Sequence, residues 1–249
     1  MLSTLHPLPK LIVCLVWLAA SIAVFDPRFQ AGIVVLSALA MIVIERRSPL
    51  LVLALMIPFA LFGFGFLTTA TLFREESDFA TRMAAETPFG SPAFSAGIVL
   101  FLRAIACGMV SAVFVMTTEP GRFIKALMAN WHLSPRIGYA LFSALHLVPD
   151  LASEAQQIRL ARAMKRGRAP RRLPGPLETA SLVVPLLAFA IRRANRAAIA
   201  MEARGLGTVS VRTIVGAPQL RPADAIFTIV ALALLAVLFI LTSGVWRAW

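Results

Sequence analysis

The basic segment Pro135–Gly207 contains two short sequences in which an arginine precedes a glycine, ARAMKRG at residues 161–167 and MEARGLG at residues 201–207. From Thr118 to Pro222 there are sixteen Lys and Arg residues and five Asp and Glu residues, an excess that accounts for nearly the whole net charge of +12. A segment with this many charges is too polar to be buried in lipid. Because Lys and Arg resist translocation, such a positive excess beside membrane spans marks the cytoplasmic side. We therefore expect residues 135–207 to form an internal helical platform.

The rest of the composition points to a membrane protein. Of the 249 residues, 59% are hydrophobic, which is more apolar side chain than a soluble domain of this size could bury. The positive charge does not predict nucleic-acid binding, because it is confined to one segment and no aromatic residue interrupts the Arg-rich run from Arg159 to Arg172. Anionic lipid headgroups are the expected partner of these charges.

Five apolar runs are candidates for transmembrane helices. They are residues 10–25, 29–44, 48–73, 93–116 and 223–242. The first two, at about 16 residues each, are at the short limit for crossing a bilayer. The stretch between the third and fourth runs, Arg74–Pro92, is net negative, which suits the outside. With the N-terminus inside, five spans place this acidic stretch outside and the basic platform inside, in agreement with the charge bias.

The sequence therefore predicts an all-α polytopic membrane protein with about five transmembrane helices. Long amphipathic cytoplasmic helices are expected between the fourth span and the last. This divides the chain into an N-terminal transmembrane bundle at residues 1–116, a cytoplasmic helical region at 117–222 and a C-terminal transmembrane helix at 223–249.

Within the cytoplasmic region, turn and capping signals predict the helices. A short amphipathic helix is expected after Thr118, and a second begins after Ser134. Pro149 is expected to break that helix, with a new one running from Leu151 to Arg166. A last helix is predicted at residues 177–204, terminated by the following glycines.

Arg103 lies inside the fourth apolar run, where a charge costs at least about 2.5 kcal/mol. It could line a polar path through the membrane, or it could bond to carbonyl groups between helices. We favour the structural role, although no carboxylate shares its span.

Two predicted helix ends carry arginines. One lies at Arg162 to Arg166, before Gly167, and the other at Arg204, before Gly205. An arginine is stabilised at this negative end of the helix dipole, and its forked guanidinium suits carboxylates on a partner protein. The alternative is that these arginines only cap their helices or contact lipid headgroups.

Catalytic signals are weak in this sequence. His6, His132 and His146 each lack a second ligand at metal-binding spacing. The chain contains neither a phosphate-binding loop with its lysine nor a nucleophile elbow, so any ATP hydrolysis must be done by a partner. Paired intramembrane acids, as expected of a proton-driven carrier, are also missing.

Several motifs together resemble one known family. They are LHPLPKL at 5–11, Arg103, TTEP at 117–120, VPD at 148–150 with Glu154-Ala155, Arg196-Ala197, and AMEARGLG at 200–207. Over nearly its full length the chain is similar to the transmembrane T component of energy-coupling factor (ECF) transporters. That family includes the cobalt, nickel and biotin transport T proteins.

The resemblance implies a role for the arginines at the helix ends. In the family, two coupling helices each end in an Ala-Arg-Gly-like triplet whose arginine docks into a groove of an ATPase subunit. Ala203-Arg204-Gly205 matches that triplet. The first triplet departs from it, because the chain offers either Arg162 within Ala-Arg-Ala or Arg166 within Lys-Arg-Gly. Both remain candidates.

The resemblance also implies the function and the partners. The chain is expected to be a non-enzymatic subunit of an ATP-driven vitamin or metal-ion importer in a bacterial or archaeal cytoplasmic membrane. Its partners would be two ATP-binding-cassette (ABC) ATPases, which bind ATP and magnesium, and a small substrate-binding membrane protein, the S component. This chain itself would bind no cofactor, and the substrate cannot be inferred from it. The alternatives are a stand-alone secondary carrier and an integral membrane enzyme.

Overall fold

The computed structural model describes residues 5–72, 92–131, 133–167, 175–206 and 214–245, and these are helical apart from short connections. The helices are α1 (Pro7–Ala23), α2 (Pro27–Leu39) continued by a π-helical segment (Ala40–Ile44), α3 (Pro49–Leu72), α4 (Pro92–Thr117), α5 (Pro120–Asn130), α6 (Pro135–Arg166), α7 (Pro176–Ala203) and α8 (Pro222–Val245). Most of the predicted acidic stretch at 74–92, together with His132 and Gly207, lies outside the described residues.

Each of the eight α-helices within the described ranges begins at a proline. Proline suits the first helical position because its fixed φ is already helical and its missing N–H would have no partner there. Side chains complete two of these caps. The His6 imidazole accepts from the Leu8 N–H at 3.3 Å, and the Asp26 carboxylate accepts from the Arg28 N–H at 2.8 Å. These local signals explain why the predicted helix starts lie close to the observed ones.

Four of the helices are long and apolar enough to cross a membrane, judged by length and composition. Those spans are Pro27–Ile44, Pro49–Thr69, Ala96–Thr117 and Pro222–Thr242. The helix α1 is also apolar but has only 17 residues. The prediction of an all-α, multi-pass membrane protein is thus confirmed.

The chain forms two compact units. The membrane unit comprises Met1–Glu119 and Pro218–Trp249, and the basic unit comprises Pro120–Ala217. Each is described separately below.

In the membrane unit, α1, α2, α4 and α8 surround one apolar core. Phe29, Ile33 and Ala106 are fully buried at its centre. The helix α3 packs against α4 beside a second cluster that includes Met41 and Met109. Gly108 permits this close packing, because a Cβ atom there would lie 2.3 Å from the ring of Phe59.

Buried polar side chains in the membrane unit bond mainly to backbone groups. Gln30 donates to the carbonyls of Ser21 and Val24 at 2.7 and 2.9 Å, and it accepts from the Ser21 hydroxyl at 2.7 Å. Because α1 ends at Ala23, these carbonyls lie beyond the reach of the helix's own N–H groups. Gln30 therefore acts as a cap for α1 from the neighbouring helix.

Two further buried groups tie the start of α1 to distant parts of the chain. The Lys10 ammonium donates to the Thr117 carbonyl at the end of α4 at 2.9 Å. The Asp224 carboxylate accepts from the His6 N–H at 2.7 Å and from the Arg221 N–H at 2.8 Å. The second bond is one half of a capping box at the start of α8. Asp224, in the first turn of the helix, accepts from the backbone N–H of the N-cap residue, Arg221.

In the basic unit, α5 packs on α6 and α6 packs on α7. The expected break at Pro149 is wrong, because α6 is a single helix of 32 residues that contains this proline. A proline removes one backbone hydrogen bond, but contacts on both sides of it hold the helix together. On one side Gly138 lies against Met128 of α5, and on the other Asp150 forms an ion pair with Arg193 of α7.

Candidate functional site

The helices α6 and α7 of the basic unit run antiparallel and are joined by polar side chains. The Arg159 guanidinium forms an ion pair with Glu178 at 2.9 Å, and Asp150, nearer the middle of α6, pairs with Arg193, further along α7. These partners were not predicted from the sequence. The only signal is a matching spacing in the two helices. Arg159 and Arg162 lie three residues apart on α6, and Glu178 and Ser181 lie three residues apart on α7.

Arg162 is also part of this junction. Its guanidinium donates to the Ser181 hydroxyl at 2.6 Å and to the Ser181 carbonyl at 3.1 Å. Its side chain is half-buried, so this arginine is bonded to the neighbouring helix.

Both helices end in the same way, with an arginine followed by a left-handed glycine. Gly167 has φ +63° and its N–H bonds to the carbonyls of Ala163 and Met164. Gly205 has φ +74°. A side chain in this conformation costs about 1–2 kcal/mol, which explains why glycine occupies both positions.

The end of α7 is a complete Schellman motif. The Gly205 N–H bonds to the Glu202 carbonyl at 2.8 Å, and the Leu206 N–H bonds to the Met201 carbonyl at 2.9 Å. These bonds satisfy the last carbonyls of the helix and leave Arg204 at its tip. Ala203 and Arg204 are both exposed.

Arg166 occupies the equivalent position at the end of α6. It immediately precedes Gly167 and is exposed, whereas Arg162 lies one turn earlier. Of the two candidates, Arg166 thus matches Arg204 in its backbone setting. The docking role of Arg162, Arg166, Ala203, Arg204 and Gly205 itself remains a prediction.

The two arginine-bearing ends lie far apart. Since α6 and α7 are antiparallel, the end of α6 lies near the start of α7, whose 28 residues separate it from Arg204. At 1.5 Å per residue this is about 40 Å along the helix. One groove on one partner could not hold both ends.

The electrostatics of the junction between α6 and α7 follow from its contacts. The hydrogen bond from Arg159 lowers the pKa of the Glu178 carboxyl, and the positive charge of Arg159 acts in the same direction. Glu178 therefore stays ionised at neutral pH and holds Arg159 at the junction. The charge of Arg166 also lowers the pKa of Glu178, although Arg166, like Arg204, lies at an exposed helix tip.

Arg103 belongs to the membrane unit and is described with it. Its Nη2 donates to the Val24 carbonyl at 3.0 Å, and its guanidinium lies 4.6 Å from the centre of the Phe25 ring. Its Nε is buried without an acceptor among the described residues. Its contacts therefore reach the end of α1, while its structural role remains a prediction.

A family model described as CbiQ, cobalt transport protein, matches residues 1–214, which covers the helices from α1 to α7. A search of curated proteins finds no match to this chain.

Proposed function

We propose, since the chain belongs to the CbiQ family of cobalt transport proteins, that this multi-pass membrane protein is the energy-coupling T subunit of an ECF-type importer. In this proposal two ABC ATPases bind and hydrolyse ATP with magnesium. A small substrate-binding S component carries the cargo, and this chain, which is not itself an enzyme, transmits motion between them.

The observation that carries the proposal is the pair of matched helix ends. Arg166-Gly167 and Arg204-Gly205 present an arginine beside a left-handed glycine at opposite ends of an antiparallel helix pair. Two similar ATPase subunits require two similar docking elements, and a separation of about 40 Å along α7 leaves room for one subunit at each.

We assign Arg166, rather than Arg162, to the first docking contact. Arg162 already donates to Ser181 on α7. Docking through Arg162 would require breaking those bonds, whereas docking through Arg166 would not. In this proposal Arg162 instead joins the two helices, so that α6 and α7 move together.

Such a pair of helices can work as a lever. A guanidinium at a helix tip forms charge-assisted, forked hydrogen bonds with carboxylates on a partner. Breaking such a contact after it has been buried costs about 2–5 kcal/mol, which is enough to loosen or uncouple the complex. The bonds between α6 and α7 would then carry a displacement at one tip along the whole pair.

The cargo is a property of the S component in this proposal. Co²⁺ is the first cargo to test, because the matching family is described as a cobalt transport protein family. A vitamin or another metal ion remains the alternative.

The test measures whether ATPase subunits stay bound to the tagged, full-length chain purified from membranes. Arg166→Ala and Arg204→Ala should each reduce the copurified ATPase activity about tenfold or more, because each removes one buried charge contact. Arg204→Lys should restore it only in part, because the forked geometry is lost. Membrane insertion should be unchanged in every variant.

The matched control is Arg192→Ala, which removes the same charge from the exposed middle of α7. It should leave copurification intact. Equal, small losses at positions 166, 192 and 204 would instead indicate diffuse attraction to lipid headgroups and contradict the proposal. Substrate uptake without any ATPase would favour a secondary carrier.

A further inference from the structure

The membrane unit contains a cavity of about 190 Å³ between α1, the end of α2, α4 and α8. Its walls are almost entirely apolar, with Lys10 and Thr117 among the few polar side chains that line it. The cavity belongs to the membrane unit and the arginine-bearing tips of α6 and α7 to the basic unit, and the proposed role of the cavity is independent of the coupling function.

Three of the helices, α1, α4 and α8, contribute to the cavity over stretches of equal length. The lining residues run from Lys10 to Trp17 on α1, from Val110 to Thr117 on α4, and from Phe227 to Leu234 on α8. Each stretch spans seven steps, or about 10 Å at 1.5 Å per residue. Since Lys10 bonds to the carbonyl of Thr117, these two residues define one end of the cavity.

The side of the cavity formed by α2 includes the π-helical segment. Ala40 and Ile44, its first and last residues, both line the cavity. Single π-helical turns inside α-helices are rare and occur frequently at functional sites. Ile44 and, on α8, Val230 and Leu234 are 41%, 51% and 44% exposed, so the rim on this side faces outward from the unit.

One polar group in the wall has no partner in the part of the chain that the structure describes. Trp17 is 9% exposed and lines the cavity, and its Nε1–H has no acceptor among the described residues. In contrast, the hydroxyls of Ser37 and Thr117, which also line it, donate to backbone carbonyls. Burying an N–H without an acceptor costs free energy, so we expect a ligand at this site to carry a hydrogen-bond acceptor.

The size and chemistry of the cavity narrow the choice of ligand. A cavity of about 150 Å³ holds a benzene molecule, so this one accommodates part of a single apolar chain and not a helix. The positive charge of Lys10 at one end favours an anionic head. Side chains on a helix lean towards its N-terminus, which brings the indole of Trp17 towards that same end.

We propose that this cavity binds one acyl chain of an anionic glycerophospholipid from the surrounding membrane. The phosphate lies towards Lys10, an ester carbonyl accepts from Trp17 Nε1–H, and the chain passes along the apolar walls and out across the rim at Leu234.

The test uses the full-length chain in detergent, with native mass spectrometry after adding equal amounts of phosphatidylglycerol and phosphatidylcholine. We expect one phosphatidylglycerol to remain bound per chain. Lys10→Met should reduce the preference for phosphatidylglycerol about fivefold. Trp17→Phe should weaken phosphatidylglycerol retention about fivefold by removing the donor. Ala40→Leu, which fills the cavity, should abolish it.

Matched controls separate the site from general effects of charge and aromatic content. Lys125→Met and Trp131→Phe, both in the basic unit, should not change lipid retention. Because Lys10→Met also removes the bond to Thr117, Lys10→Arg serves as a second variant and should keep the preference.

A second measurement places the lipid beside the indole. In a variant with Trp17 as the only tryptophan, phosphatidylglycerol brominated on its acyl chains should quench the fluorescence at a lower concentration than brominated phosphatidylcholine. Equal retention of both lipids, or retention that survives Ala40→Leu, would overturn the proposal.

Discussion

Polar side chains differ in burial and in bonding partners between the membrane unit and the basic unit. In the membrane unit they are buried and bond to backbone groups, as Gln30 does at the end of α1 and Lys10 at the end of α4. In the basic unit the ion pairs join exposed or half-buried side chains, as between Asp150 and Arg193. Removing a polar side chain from the membrane unit leaves a buried backbone group without a partner. In the basic unit, water can take the place of a removed side chain.

This difference explains which charged side chains are accessible to a partner protein. Lys10 and Arg103 bond to carbonyls of their own chain inside the membrane unit. The exposed tips of α6 and α7 carry their charge where another protein can reach it. Stability should therefore be sensitive to changes in the membrane unit, and partner binding to changes in the basic unit.

The largest effect on stability is expected at Gln30. Gln30→Leu removes three hydrogen bonds and leaves the Ser21 carbonyl without its partner, so the free energy of unfolding should fall by about 3 kcal/mol. Thermal unfolding in detergent measures this. Gln157→Leu on the exposed side of α6 is the control and should change stability little. Equal effects of the two substitutions would remove the contrast between the units.

A smaller effect is expected at Arg103. Arg103→Leu loses the bond to the Val24 carbonyl and the contact with the Phe25 ring, but it also removes a charge that is costly to bury. We expect a net loss of about 1 kcal/mol and a lower yield of folded protein in detergent. The Val24 carbonyl keeps its bond from Gln30, which limits the loss. An unchanged yield together with lost uptake would instead assign Arg103 to a transport path.

The smallest effect is expected at Glu178. Because its pKa is lowered in the folded protein, its ionised form stabilises the fold above the unfolded pKa of about 4.3, and this contribution is lost as the pH falls through the folded pKa. Between pH 7 and pH 3, Glu178→Gln should lose slightly less stability than the unchanged protein. Unfolding curves at the two pH values measure this. An equal or larger loss in the variant would show that the pair contributes nothing.

Local sequence signals predicted most of the helices. Proline at the first position, and glycine after Arg166 and Arg204, mark the ends through backbone conformation alone. Apolar runs predicted the membrane helices, because burial in lipid depends on composition and length.

Pro149 shows where local reasoning failed. A proline often ends a helix, but here packing against α5 and α7 keeps α6 continuous. The π-helical segment at Ala40–Ile44 was likewise not predicted, since no local signal for it was recognised.

The sequence by itself determined the fold class, the apolar spans and the two Arg-Gly helix ends, because these depend on composition, helix length and backbone conformation. Only the tertiary structure showed that Arg162 bonds to Ser181, since that partner lies on another helix, 19 residues away. It also decided which groups satisfy the buried carbonyls, because such partners come from residues distant in sequence, and it left the Trp17 Nε1–H without an acceptor among the described residues.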